Sequence, residues 1–217
     1  MDFSLQTIVL WAVPVVFAIT LHEAAHGYVA RMFGDRTAEL RGRITLNPLK
    51  HIDLVGTILV PGALILAAKF GGPQLVFGWA KPVPVNFGAL RNPKRDMLWV
   101  AAAGPGANFA MAILWALFLK TLASTAAGGH AHWLLMANVG ISVNLVLMAL
   151  NLLPLPPLDG GRIAVSLLPL RMARAFARIE PYGFFIVIGL LVFGLLGDVM
   201  RPVLEFVQWL LQALLGI

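Results

Sequence analysis

Cysteine is absent from the 217 residues. Disulfides and thiolate metal sites are therefore excluded, and any metal must be held by His, Asp or Glu. Charge is scarce as well: only 12% of the residues are Asp, Glu, Lys or Arg, against about 25% in soluble domains. With 59% hydrophobic residues and a mean hydropathy of +0.85, the composition rules out a water-soluble globule and a disordered chain. The net charge of +6 and pI of about 10.3 do not indicate nucleic acid. The 16 Lys and Arg are dispersed between apolar runs, as where a membrane protein meets an anionic leaflet. The opening MDFSLQT lacks the basic segment of a cleaved signal peptide, and the apolar run continues past any plausible cleavage site. This is the composition of an integral membrane protein.

Crossing about 30 Å of hydrocarbon takes roughly 20 residues in a helix. Leu5 to about Phe33, Met97 to Leu122 and Trp133 to Leu153 satisfy this, and Tyr182 to Gly197 is a shorter fourth span. Val203 to Ile217, after Arg201-Pro202, reads as a last half-span or an interfacial helix. Leu54 to Ala68, at about 15 apolar residues, is short for a span and reads equally well as a re-entrant or interfacial element. Lys and Arg number five in residues 31–50, five in 69–96, four in 154–181 and none in 123–132. If Leu54 to Ala68 does not cross, every basic loop falls on one side, which the positive-inside rule makes the cytoplasm. Glu39 to Leu46 (ELRGRITL) alternates polar and apolar residues as a strand does, and Trp79 to Phe87 (WAKPVPVNF) reads as an edge strand, because Pro82 and Pro84 lack N–H groups. The expectation is an all-α polytopic membrane protein with about four to six membrane segments and a small membrane-associated β element. It would be a single domain over 1–217, with a core at about 5–170 and C-terminal membrane segments at 182–217.

Inside the first apolar stretch lies His22-Glu23-Ala24-Ala25-His26. On a helix, i and i+4 share a face, so both imidazoles can reach one cation, while Glu23 stands beside them to address a water. This is the spacing of a zinc hydrolase, with a carboxylate as general base. A carboxylate at such depth costs roughly 2.5–3.5 kcal/mol on insertion scales, so ionisable groups there are functional by default.

Catalytic zinc needs a third protein ligand. Asp159 is the candidate, in Asn151-Leu-Leu-Pro-Leu-Pro-Pro-Leu-Asp159-Gly-Gly-Arg162, where prolines break the helix and glycines permit close backbone approach. Early in the second span, Ala103-Gly104-Pro105-Gly106-Ala107-Asn108 offers small residues for helix packing. The amides of Asn108 and Asn151 could bind a substrate backbone or an oxyanion, or could instead satisfy freed backbone groups. His51 is open as an outer-shell group or extra ligand. His130 and His132 read as solvated, and Arg162 as a carboxylate partner or a boundary marker.

At these residues the sequence resembles the site-2 protease family of intramembrane zinc metalloproteases. HEAAH, the GPGAN block and NLLPLPPLDGGR match in order, and GRITLNPLKHIDLVGT and FGWAKPVPVNF resemble the small bacterial and archaeal branch without a PDZ domain. The likeness covers roughly residues 15–170. It implies that His22, His26 and Asp159 bind Zn2+ and that Glu23 activates the water. Asn108 and Asn151 match the family's asparagines near the site. It further implies cleavage of a transmembrane protein substrate within the lipid bilayer of a prokaryotic cell membrane. A metal-binding or transport protein, or a non-catalytic helix-binding relative, is the alternative. The first gives Glu23 no role, and the second leaves an intact ligand set unexplained.

Overall fold

The structure is a computed structural model that describes residues 5–70, 78–124 and 131–216. It opens with α1 (Leu5–Met32), the first of three helices long and apolar enough to cross a membrane. In hydrocarbon each backbone N–H and C=O needs an internal partner, and an unbroken helix supplies it. The connection that follows carries a short α2 (Thr37–Leu40), a π-helical stretch at Leu54–Leu59 capped by the Asp53 carboxylate, and α3 (Val60–Lys69). The second span, α4 (Pro93–Ser124), starts with proline at its first position, where no N–H is required. Asp96 there accepts the Asn92 N–H at 2.7 Å. The third span is α5 (Ala131–Asn151). Large apolar residues such as Ile8, Phe17, Leu114 and Val146 are exposed on these helices, which suits a surface facing lipid tails rather than water.

α1, α4 and α5 pack against one another. Near the middle of the bundle, Ala112 of α4 packs with Leu145 and Met148 of α5. Toward one end, Ala30 of α1 packs with Val100 and Met97 of α4. At that end the Arg91 N–H donates to the Phe33 carbonyl at 3.0 Å, and the Asn86 N–H to the Asp35 carboxylate at 2.6 Å. The excursion over 33–91 thus begins and ends at the same end of the bundle. Leu54–Lys69 is a short apolar helix on the way, not a lone crossing, and α1 and α4 run antiparallel.

The expected β element is not found: among the described residues there is no strand. Glu39 to Leu46 begins in α2 and turns at Gly42, where φ is +60° and the Arg43 N–H returns to the Ala38 carbonyl. Residues 78–86 run without regular structure. The two stretches nevertheless lie together over α1: Ile44 and Val83 both press on Gly27, where an added Cβ would come within 3.0 and 3.2 Å of their side chains. Missing N–H groups at Pro82 and Pro84 and the turn at Gly42 leave no continuous ladder to form.

After α5 the chain passes through Pro154, Pro156 and Pro157 into α6 (Asp159–Leu167), then α7 (Leu170–Ala177) and α8 (Glu180–Val192). The fourth span expected at Tyr182 to Gly197 is cut short at Val192, and Gly194 turns the chain at φ +72°. α7 and α8 qualify as a span only as a pair bent by 60°. The last helix, α9 (Leu196–Leu215), begins earlier than the half-span expected at Val203. It lays Val207 and Leu211 against α4 and α5. Among the described residues there are three spans, or four with the bent pair, at the low end of the expected four to six, and α9 with Asp198, Arg201 and Glu205 is not among them.

Candidate metal centre

His22 and His26 project from one face of α1, both buried, with ring centroids 4.7 Å apart. Their space comes from Gly104 on α4. A Cβ there would collide with His26 Nε2 and stand 2.6 Å from His22 Cε1. The small residues of the GPG block therefore clear room for two imidazoles, beyond letting helices approach. Asp159 arrives at the first position of α6. Gly160 and Gly161 press directly on the backbone of Leu152 to Pro156, so the helix start is seated on the proline turn and its carboxylate faces the histidines.

The three side chains converge on one point. His22 Nε2 and His26 Nε2 are 3.1 Å apart, and each is 3.2 Å from Asp159 Oδ2. Among the described residues this is the one cluster of three metal-type ligands. Its protonation follows from the groups behind it. The Asn144 amide donates to the Gly140 carbonyl at 2.8 Å, so its Oδ1 faces Asn108. Asn108 Nδ2 donates to that Oδ1 at 2.9 Å and to the Ala18 carbonyl at 3.3 Å. Its own Oδ1 must then accept from His22 Nδ1, at 2.6 Å. On the other ring, His26 Nδ1 donates to the Val100 carbonyl at 2.7 Å. In its neutral form each imidazole hence carries its proton on Nδ1 and turns the Nε2 lone pair inward.

Three lone-pair atoms thus face one another, and Asp159 Oδ2 is buried without a hydrogen bond. Uncompensated, that arrangement is repulsive; a cation at its centre resolves it. Tetrahedral zinc with bonds of about 2.0–2.1 Å has ligand–ligand edges of roughly 3.3–3.4 Å, close to those found here, and leaves one position open. Two imidazole nitrogens and a carboxylate oxygen, with their far sides hydrogen-bonded, fit such an ion.

Glu23 is half-buried beside this cluster, and its Oε2 accepts the Val83 N–H at 2.7 Å. Val83 belongs to the segment 78–86, hereafter the strap, which is held at several points. Arg43 donates to the Lys81 carbonyl at 2.7 Å, and the Lys81 N–H donates to the His51 carbonyl at 2.9 Å. Trp79 N–H bonds to the Gly56 carbonyl at 3.0 Å, and its ring covers Gly56 so closely that no Cβ would fit. Asp35 fastens the far end through Asn86. Burial alone would raise the Asp35 carboxyl, but hydrogen bonds from Thr37 and the Asn86 N–H outweigh it and hold the group below the ordinary carboxylate range.

The site residues expected from sequence meet different fates. His22, Glu23, His26, Asp159 and Asn108 come together. Asn108 spends its whole amide on His22, Ala18 and Asn144, leaving no N–H for an oxyanion. The Asn151 amide instead bonds the Leu147 carbonyl one turn back in its own helix, at 2.9 Å. Asn144, fully buried, is the amide that stands behind Asn108, and the motif reading did not name it. Its signal was an amide deep in an apolar span, two turns before Asn151 on the same helical face. His51 is buried and bonds the Thr45 carbonyl at 3.0 Å, outside the ligand cluster. Arg162 forms no ion pair among the described residues. His132 is exposed, and His130 lies outside the described residues.

A family model described as Peptidase family M50 matches residues 10–129 and 122–194. The chain is 38% identical over 201 residues to YwhC of Bacillus subtilis, named as a zinc metalloprotease, covering 89% of this chain and 84% of that protein. It is 33% identical over 195 residues to Rip2 of Mycolicibacterium smegmatis, which carries the same kind of name, covering 89% and 70%. MJ0611 of Methanocaldococcus jannaschii, likewise named, is 24% identical over 165 residues, covering 75% and 72%. No solved structure matches. Matched over most of its length by the family model and by relatives on this scale, the chain belongs to Peptidase family M50, the site-2 protease family.

Proposed function

We propose that the protein is an intramembrane zinc metalloprotease, one membrane-embedded domain that hydrolyses peptide bonds in or near transmembrane segments of membrane-anchored substrates. The observation that carries this reading is the buried convergence of three lone-pair atoms, all within 3.2 Å of one another, next to an uncommitted carboxylate oxygen on Glu23. His22, His26 and Asp159 would hold the zinc, which acidifies water and polarises the scissile carbonyl. Glu23 takes the proton of the attacking water and returns it to the leaving amine. The Val83 N–H steadies one of its carboxylate oxygens and leaves the other for the proton.

A helical substrate shields its carbonyls, so it must be unwound to react. The strap supports such unwinding. Among the described residues, the Val83 carbonyl and both backbone groups of Val85 make no hydrogen bond within the chain. Prolines 82 and 84 remove the N–H groups from the opposite edge. A substrate strand can add on one edge only, beside Glu23, completing a small β element. The ligands lie some 9–15 Å from the end of α1 at 1.5 Å per residue, at the end that carries Arg31 and Arg36 and, at the start of α4, Lys94 and Arg95. That supports a prokaryotic cell-membrane protein with its site opening toward the cytoplasm.

The test compares the purified protein with Glu23→Gln on a transmembrane peptide, with and without a chelator. We expect zinc in both proteins, cleavage by the wild type alone with a loss of about 10²–10⁴-fold in the variant, and none with chelator. Equal cleavage by both would sink the mechanism.

A further inference from the structure

We propose that a cavity beside the strap is a specificity pocket, which accepts one large apolar substrate side chain (Leu, Met or Phe) one or two residues from the scissile bond, with Val165 and Ala177 setting its size. This rests on the proteolytic reading above and goes beyond it by naming what the enzyme selects.

The cavity measures about 240 Å³. Val85 and Phe87 form one wall, and Gly161 and Val165 of α6, with Pro156 and Pro157, form another. Met97 of α4 and Ala177 at the end of α7 also line it. Each of the two main walls leads directly to the chemistry. Val85 is two residues, about 7 Å of extended chain, beyond Val83, whose N–H bonds Glu23. Gly161 is two residues beyond Asp159 in the same helix. A substrate strand paired with the free backbone groups of Val85 therefore has its side chains over this opening, one or two positions from the carbonyl under attack.

Size and polarity define the guest. A cavity of about 150 Å³ lined by aliphatic and aromatic groups already takes a benzene ring, so this one holds a Phe, Leu or Met side chain. Apolar side chains make up most of its lining. The two charged lining residues, Arg162 and Glu180, are exposed and have no ion-pair partner among the described residues, so they hold water at the mouth without offering a buried charge to a ligand. A transmembrane segment supplies just such side chains.

The experiment uses full-length protein and synthetic transmembrane peptides, each with a helix-breaking Asn-Pro centre and with Ala, Leu or Phe at successive positions near the cleaved bond. In the wild type, one position should favour Leu or Phe over Ala by about tenfold or more in kcat/KM, as expected for a hydrophobic pocket. Val165→Phe and, from a different helix, Ala177→Phe should each bring the ratio of kcat/KM for the Leu or Phe peptide over the Ala peptide down about tenfold, towards one. In parallel, the same peptides carrying photoleucine would be bound to the Glu23→Gln protein, where one position should crosslink to Met97, Val165 or Ala177. Cleavage with an unchanged residue profile in both variants, or crosslinks that avoid all three residues at every position, would overturn the pocket and leave the protease reading intact. Crosslinking in the cavity without cleavage by the wild type would uphold the pocket and remove the protease reading.

Discussion

His22 and Glu23 are adjacent in α1, yet they belong to two differently built halves of one site. The half around His22 is made of packed helices. Its ring is held by Asn108, which is held by Asn144, which is anchored on a backbone carbonyl of α5. Each of these amides is buried and fully committed. The half around Glu23 is made of the strap, a segment without regular structure, held at separate points by Arg43, the His51 carbonyl, Gly56 and Asp35. The division follows from what each half must do. Metal ligands need sub-ångström placement, which helix packing and hydrogen-bonded second partners supply. A substrate backbone needs unpaired N–H and C=O groups, which helices have already spent on themselves.

Substitutions in the two halves should therefore separate into metal effects and substrate effects. The largest effect is expected at Gly104→Ala, which drives a methyl group into both imidazoles. Zinc content measured by mass spectrometry should collapse, with about 1–3 kcal/mol lost from stability by overpacking; a fully loaded variant would mean that the two helices separate easily. Next is the asparagine series. Asn108→Ala should weaken zinc binding about 10–100-fold, Asn144→Ala should weaken it less, and Asn151→Ala should leave it unchanged. If Asn151 outranked Asn144 in a competition titration, the relay would be refuted.

The strap half should respond in KM instead. Arg43→Ala removes charged hydrogen bonds worth about 1.5–3 kcal/mol, and peptide KM should rise by about tenfold or more with zinc content unchanged. Loss of zinc in that variant would erase the distinction between the halves. The smallest effect concerns pH. Because Asp35 is held below its unfolded value, its contribution is complete above about pH 4 and fades as pH falls through the folded value. Amide exchange at Asn86 should accelerate over that acidic window in the wild type and show no such step in Asp35→Asn.

Much of the site was legible because its signals are local or chemically expensive. His22, Glu23 and His26 share one helical turn, and ionisable groups within a 28-residue apolar helix demand a reason. Asp159 stood out between prolines and glycines. The three spans were readable from length and apolarity. The β element was misread because alternation in ELRGRITL and β-branched residues in the strap describe extended backbone equally well whether or not it pairs. Only Gly42's left-handed turn and the missing N–H groups decide that. The bounds of the fourth span were less legible, since an apolar run does not show where a helix ends or bends.

By itself, the sequence determined the solvent and the donor types available to a metal. Without cysteine the metal site has to be His and carboxylate, and with so little charge the helices have to be in lipid. Tertiary structure decided which amide stands behind which ring. Both Asn144 and Asn151 lie on one face of α5, but α5 crosses α4 at the depth of Asn144, leaving Asn151 to bond its own turn. It also decided that residues far apart in the chain, Val83 and Glu23, share a hydrogen bond. Periodicity places a side chain on a helix face, but the depth at which two helices cross is set by the packing of both.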